Sequence, residues 1–199
     1  MMPINHGGRV KNVYVFVFDG LADWEIGLTT YELHTNNNIP VTTMSLTEEL
    51  IKTGGGLTIQ PDVTLAEVDP KDTSLLMLPG GEMWHTFDNQ QITAFIHQVH
   101  QAGGIVAGIC AASLYLVKIG LMNAGIKHTS NGLDYLQYYI PDYDLSEFYV
   151  EAPAVSDQGI ITAPGEAPFE FAHQILKALH VYDAEVLAEF AEFWRCREV

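Results

Sequence analysis

Cys110 is the residue of this chain best placed to do chemistry. An apolar run over residues 105–109 leads straight into it, Ala111, Ala112 and Ser113 crowd round it, and a helical pattern begins at once. A strand that turns sharply into a helix exposes one side chain at the strand's carboxyl end, against a helix N-terminus. A thiol held there is favoured as a thiolate, because the first N–H groups of the helix point at it. The same layout suits an inert cysteine packed between two elements, since free cysteine is among the most buried residue types. Residue 110 alone leaves both readings open.

A thiolate that attacks a carbonyl-like carbon needs a proton partner, and N–H groups for the charge that develops. Glu25 stands in the first turn of a helix just after a strand end. Its carboxyl can exchange a proton with Cys110, although an acid there also complements the helix dipole. Asp23 reads as the cap of the same helix. The N–H of Ala111, with one from Gly80 or Gly81, would form an oxyanion hole, because backbone approaches closely where there is no Cβ. An ordinary tight turn is the plainer reading of Pro79-Gly80-Gly81.

Trp84 and His85 follow that glycine turn and are candidate pocket residues, with Trp24 the other nearby aromatic. His85 can be read as a substitute base or as a surface-loop histidine. His128 is a further candidate, facing either the sheet or the site. His97 and His100 lie three apart on one helix but lack a third ligand at suitable spacing, so no metal site is expected, nor any cofactor. Thr53-Gly54-Gly55-Gly56 is not followed by Lys-Ser/Thr and reads as a turn, not a phosphate loop. Cys196, near the C-terminus, reads as incidental, and no resolving cysteine lies near Cys110 in sequence.

The elements that must position these residues are legible in outline. Residues 13–18 form a continuous β-branched and aromatic run, and residues 74–78 another. Such runs mark strands buried on both faces, as in a parallel sheet. Further strands are expected at 41–46, 105–109, 126–129, 148–150 and 159–162, with a short arm at 57–61. Helical patterns cover 24–34, 89–102, 111–119, 168–179 and 183–194, and Ile92, Phe95, Ile96 and Val99 share one face. Tyr135, Tyr138, Tyr139 and Tyr143 read as an aromatic cluster for packing or for a dimer face. The alternation predicts an α/β three-layer sandwich around a mostly parallel sheet. In such sheets ligands sit beyond the carboxyl ends of the strands. The turns at 19–25, 79–85 and 110–113 should converge there.

Four segments then carry a resemblance. Phe18-Asp-Gly-Leu-Ala-Asp-Trp-Glu25, Leu78-Pro-Gly-Gly81, Ala107-Gly-Ile-Cys-Ala-Ala112, and Ile161-Thr-Ala-Pro-Gly165 with Phe169-Glu-Phe-Ala172 occur in order. Together they resemble the ThiJ/PfpI superfamily, relatives of the class I glutamine amidotransferases, over nearly the whole chain. The resemblance implies a flavodoxin-like fold, a homodimer, a reactive cysteine at the elbow, and Glu25 as the carboxylate partner of Cys110. Two positions depart from the pattern. Peptidase-like members carry a histidine directly after the nucleophile, where this chain has Ala111. Other members carry one in a later strand-end loop, at a position that aligns with Asn131, which makes Asn131 a candidate pocket residue. A cysteine–histidine dyad is therefore not evident, and protease activity is not expected.

Composition bounds the rest. With 199 residues, 48% of them hydrophobic, the chain can bury a sizeable core and is expected to form one domain, with residues 1–10 a loose tail. A net charge of −16 argues against nucleic acid as a partner. No apolar run is long enough for a membrane span, and the first residues lack the plan of a signal peptide, so a cytoplasmic location is expected. The reading at this stage is a cysteine-dependent hydrolase, amidotransferase-like enzyme or hydratase/lyase acting on a small electrophilic molecule. The competing readings are an oxidation sensor that uses Cys110 and a binding homologue without turnover.

Overall fold

The structure, a computed structural model, describes residues 10–123 and 125–194. The expected N-terminal tail and Cys196 therefore lie almost wholly outside the described residues. The chain alternates strands and helices from β1 (Asn12–Phe16) and α1 (Trp24–Tyr31) onward. Then come β2 (Val41–Ser45), the hairpin β3 (Ile51–Lys52) and β4 (Thr58–Ile59), β5 (Val63–Thr64) and β6 (Thr73–Leu78). The short α2 (Met83–Thr86), α3 (Gln90–Gln101), β7 (Ile105–Ile109), α4 (Ala111–Lys118) and α5 (Leu133–Tyr139) follow. The final elements are β8 (Val155–Asp157), β9 (Ile160–Ala163), α6 (Pro168–Ala178) and α7 (Ala184–Trp194).

Seven strands form one sheet in the order β5-β2-β1-β6-β7-β9-β8. Every pairing is parallel except that of β8 with β9 at the edge. This is the flavodoxin-like α/β sandwich with a mostly parallel sheet. The central strands are apolar without alternation because helices cover both faces. Leu75, Leu76, Met77 and Leu78 of β6 are all fully buried, and each such side chain contributes about 1.5–3 kcal/mol through its removal from water. The amphipathic α3 buries Ile92, Phe95, Ile96 and Val99. Its N-terminus is fixed by Asn89, whose side chain accepts from the N–H groups of Gln91 and Ile92 at 2.9 and 3.2 Å.

The region between α4 and β9 differs from the expected layout. Residues 126–129 and 148–150 do not form strands; a single parallel bridge joins His128 and Tyr149. The chain between them folds into α5, which the tyrosine-rich sequence disguises, since tyrosine favours strands and sits low among helix formers. The helix expected over 24–34 is also interrupted, with residues Glu32–Asn36 widening into a π-turn. Both features shape clefts on the molecular surface.

Candidate active site

β1, β6 and β7 are neighbours in the sheet, so the turns at their carboxyl ends meet. The turn after β7 is the elbow. Cys110 adopts φ 59° and ψ −130°, close to the first central position of a type II′ turn, which glycine normally fills. A non-glycine residue held there costs of order 1–3 kcal/mol and persists only where its surroundings over-determine it. Here Cys110 N–H donates to Ala163 O at 2.9 Å, and Cys110 O accepts from Ser113 N–H at 3.1 Å and from Ser113 Oγ at 2.6 Å. Ser113 Oγ in turn meets Ser130 Oγ at 2.7 Å. Ala111, Ala112 and Ser113 are all buried, so the small residues around the thiol are what let α4 start flush against β7.

Glu25 enters from α1 and is completely buried. Its Oε2 accepts the N–H of Gly80, while its Oε1 has no partner of hydrogen-bond geometry among the described residues. The carboxyl lies against the cysteine. A Cβ built on Gly80 would stand 2.6 Å from Cys110 Cβ and 2.6 Å from Glu25 Oε2, and one built on Gly165 would stand 2.9 Å from Cys110 Sγ and 3.1 Å from Glu25 Oε1. Only glycine fits at either position. Asp23, read as the helix cap, instead accepts from Thr53 Oγ1 at 2.6 Å and so ties the β3–β4 hairpin to the turn. Gly54 N–H donates to Leu21 O at 2.8 Å, which secures the same hairpin over the site.

Burial pushes the Glu25 carboxyl up to about 7, against the opposing pull of the Gly80 N–H. Burial, then the Glu25 charge, pushes the Cys110 thiol up to about 11; the Asn131 amide and the Ala111 N–H pull it the other way. This direction runs against the expected favouring of the thiolate by the helix terminus. The helix N-terminus is present, but desolvation and a neighbouring carboxylate outweigh it. Near neutrality the thiol therefore keeps its proton, and Glu25 is the group of the pair that titrates.

A cleft of about 500 Å³ opens onto this pair. Trp24, Glu82, His85, Asn131, Tyr135 and Tyr139 form its walls, Gly81 and Ala111 also line it, and among the described residues no lysine or arginine does. Asn131 Nδ2–H donates to Cys110 Sγ at 3.4 Å, and Asn131 Oδ1 accepts from Gly165 N–H at 3.0 Å, which fixes the orientation of the amide. His85 lines the cleft with both ring nitrogens engaged, as described below.

Three sequence candidates are corrected. Trp84 is not a pocket wall: it is fully buried among Phe16, Phe18, Phe87 and Tyr115, its indole N–H donating to Pro79 O at 2.8 Å. Trp24, 61% exposed, lines the cleft instead. His128 is fully buried away from the cleft, its Nδ1 on Ile126 O at 3.0 Å and its Nε2 on Tyr143 Oη at 2.7 Å. Desolvation pushes it below the ordinary histidine range, so it stays neutral and braces the bridge to Tyr149. Gly80 cannot serve an oxyanion, because Glu25 takes its N–H. Gly81 N–H has no partner among the described residues. Sequence reasoning missed Tyr135, Tyr139 and Gly165 as site residues. The Pro-Gly pair after a strand, Pro164-Gly165, was the available signal for Gly165, whereas the two tyrosines carried none that set them apart from packing residues.

A strained cysteine elbow on a mostly parallel sheet, with a buried carboxyl from the turn after β1, two strands away, defines an α/β protein of the nucleophile-elbow class. The chain belongs to the DJ-1/PfpI family, whose model matches residues 11–178. It is 38% identical over 186 residues to a Bacillus subtilis protein named "Uncharacterized protease YoaZ", covering 90% of this chain and 88% of that one. A solved thiJ/pfpI family protein from Bacillus anthracis superposes with a TM-score of 0.90 at 35% identity, covering 97% of this chain and 94% of that one. A DJ-1 superfamily protein from Agrobacterium tumefaciens gives a TM-score of 0.83 at 30% identity, over 92% and 97% of the two chains.

Proposed function

We propose that this protein is a cysteine-dependent enzyme that acts on a small, uncharged electrophile such as an amide, aldehyde or isonitrile-like carbon. The observation that carries this reading is the wholly buried Glu25 carboxyl, set against the Cys110 thiol and raised to about 7. A carboxyl near 7 is matched to both taking and returning a proton at neutral pH. Cys110 Sγ–H gives its proton to the Glu25 carboxylate as sulfur attacks the substrate carbon. The N–H groups of Gly81 and Ala111 hold the negative charge that develops. Protonated Glu25 then returns the proton as the adduct is resolved by hydrolysis or elimination.

That no lysine or arginine lines the cleft among the described residues argues against anionic substrates, and the aromatic walls favour a compact, flat one. The word protease in the name of the Bacillus subtilis relative is not carried over. Residue 111 is alanine, and among the described residues the only histidine in the cleft lining is His85, which is tied to Glu82 and Tyr135. Alkylation by iodoacetamide with peptide mapping tests the reading: the adduct is expected at Cys110, slowed by Glu25→Gln at pH 7. An unchanged rate in Glu25→Gln contradicts it.

A second reading is favoured by the unpartnered Glu25 Oε1 beside the sulfur. Two successive peroxide molecules would oxidise the Cys110 thiolate to a sulfinate with release of two waters, and protonated Glu25 would donate to one sulfinate oxygen. Mild peroxide followed by intact mass distinguishes this reading, which requires two oxygens added at Cys110. Oxidation confined to methionines contradicts it. In either case we propose a cytoplasmic homodimer.

A further inference from the structure

We propose that Tyr135 is the second acid–base residue of the Cys110 site, and that His85 and Glu82 position and recharge it; this rests on Cys110 being the nucleophile. The geometry is a hydrogen-bonded row along one wall of the cleft. His85 Nε2 meets Tyr135 Oη at 2.8 Å, and His85 Nδ1 meets Glu82 Oε2 at 3.1 Å. The imidazole is clamped flat against Tyr139, with ring centroids 4.4 Å apart and planes at 21°. Its backbone carbonyl accepts Lys118 Nζ–H at 2.6 Å. Tyr135 lines the same cleft as Cys110. Its phenol also neighbours the Asn131 amide that donates to Cys110 Sγ. Glu82, at the outer end, is 98% exposed and in contact with water.

A carboxylate–imidazole pair usually serves to fix a tautomer and to orient the ring toward the group it works on. Here the group in front of the imidazole is a phenol, not the thiol. The thiol already has its own proton acceptor in Glu25. The site therefore holds two separate proton-handling sets, one against the sulfur and one across the cleft wall. Addition to a C=X bond needs both, because one proton leaves the nucleophile while another reaches X.

In the charged form of His85, Nδ1–H donates to Glu82, Nε2–H donates to Tyr135 Oη, and the Tyr135 hydroxyl is turned toward the substrate. Cys110 Sγ–H passes its proton to Glu25 while the sulfur–carbon bond forms. The π pair of C=X moves to X, X takes the Tyr135 proton, and Tyr135 Oη takes the Nε2 proton. His85 is left neutral with Nδ1–H still on Glu82, and water entering the cleft restores the proton at Nε2. Total charge is unchanged across the step. Burial holds the Tyr135 phenol above the ordinary range, so it waits in the protonated form.

Two probes of the same thiol separate this proposal from the nucleophile reading. Iodoacetamide releases iodide and needs no incoming proton, whereas acrylamide adds across a double bond and its carbon must be protonated. Rates at Cys110 are read by peptide mapping on the full chain, wild type and Tyr135→Phe, His85→Gln and Glu82→Gln, at pH 7. The ratio of acrylamide to iodoacetamide rates is expected to fall about tenfold or more in Tyr135→Phe and His85→Gln, and by less, in the same direction, in Glu82→Gln. Taking the ratio within each variant cancels any change in thiol ionisation or packing. If Tyr135→Phe fails to fold, the His85 variant and that of the exposed Glu82 read the same relay. An unchanged ratio with normal iodoacetamide labelling overturns the relay and spares the nucleophile. Failure of wild-type Cys110 to react with iodoacetamide overturns both.

Discussion

At the scale of residues, the site is governed by a carboxyl placed where water cannot reach it. Glu25 is fully buried and raised to about 7, so the folded chain keeps a proton that the unfolded chain gives up near the ordinary 4.5. Protons bound by the native state in excess of the unfolded state make stability fall as pH rises. The contribution of Glu25 is thus fully present below about pH 4.5 and lost as pH rises through about 7, by up to about 3 kcal/mol. Chemical denaturation of wild type and Glu25→Gln at a series of pH values checks this. The stability difference, wild type minus variant, is expected to shrink or change sign across that window and then level off. A flat difference would show that Glu25 titrates normally. The residue identities at the site were readable in part: Cys110, Glu25 and Asn131 stood out by position, and the structure brings them together. Trp84 and His128 misled because an indole after a glycine turn and a histidine near a strand end look the same whether they face a cleft or a core. Only the packing of Phe16, Phe18 and Tyr115 around Trp84 decides it.

At the scale of elements, three strand-end turns meet only because glycines let them. The absence of a Cβ at Gly80 is what brings the β6 turn within reach of both Cys110 and Glu25. Gly80→Ala would place a methyl 2.6 Å from Cys110 Cβ, and overpacking of this kind costs about 1–3 kcal/mol. Slower Cys110 alkylation and a lowered denaturation midpoint are expected together, and a variant with wild-type stability and reactivity would contradict the described approach. The central strands were legible because buried parallel strands leave continuous apolar runs, as in Leu75–Leu78. The region between α4 and β9 was not legible. α5 has seven residues, three of them tyrosine, so neither propensity nor a clean apolar stripe marks it. That one missed helix carries Tyr135 and Tyr139, which is why two of the six wall residues were not recognised as such.

At the scale of the whole molecule, the sheet order explains why residues as far apart as 25, 80, 110 and 165 meet at one site: β1, β6, β7 and β9 are consecutive in the sheet. Trp24, Tyr31, Leu50 and Leu57 are exposed on α1 and around the β3–β4 hairpin, and they are the side chains the proposed homodimer would cover. Sedimentation is expected to give twice the 22.0 kDa chain mass, reduced to one chain by Leu57→Lys. A monomeric wild type would contradict the homodimer. The central claim, that Cys110 and Glu25 act as one proton-sharing pair, is tested most directly by the rate of Cys110 alkylation by iodoacetamide as a function of pH. Because a carboxylate is needed to accept the thiol proton, the rate is predicted to rise through about pH 7, flatten, and rise again toward about 11 as the thiol itself ionises. In Glu25→Gln the step near pH 7 disappears and a single rise remains, at lower pH than the second wild-type rise because the neighbouring charge is gone. A single rise near the ordinary thiol value of about 8.5, the same in both proteins, would contradict the account.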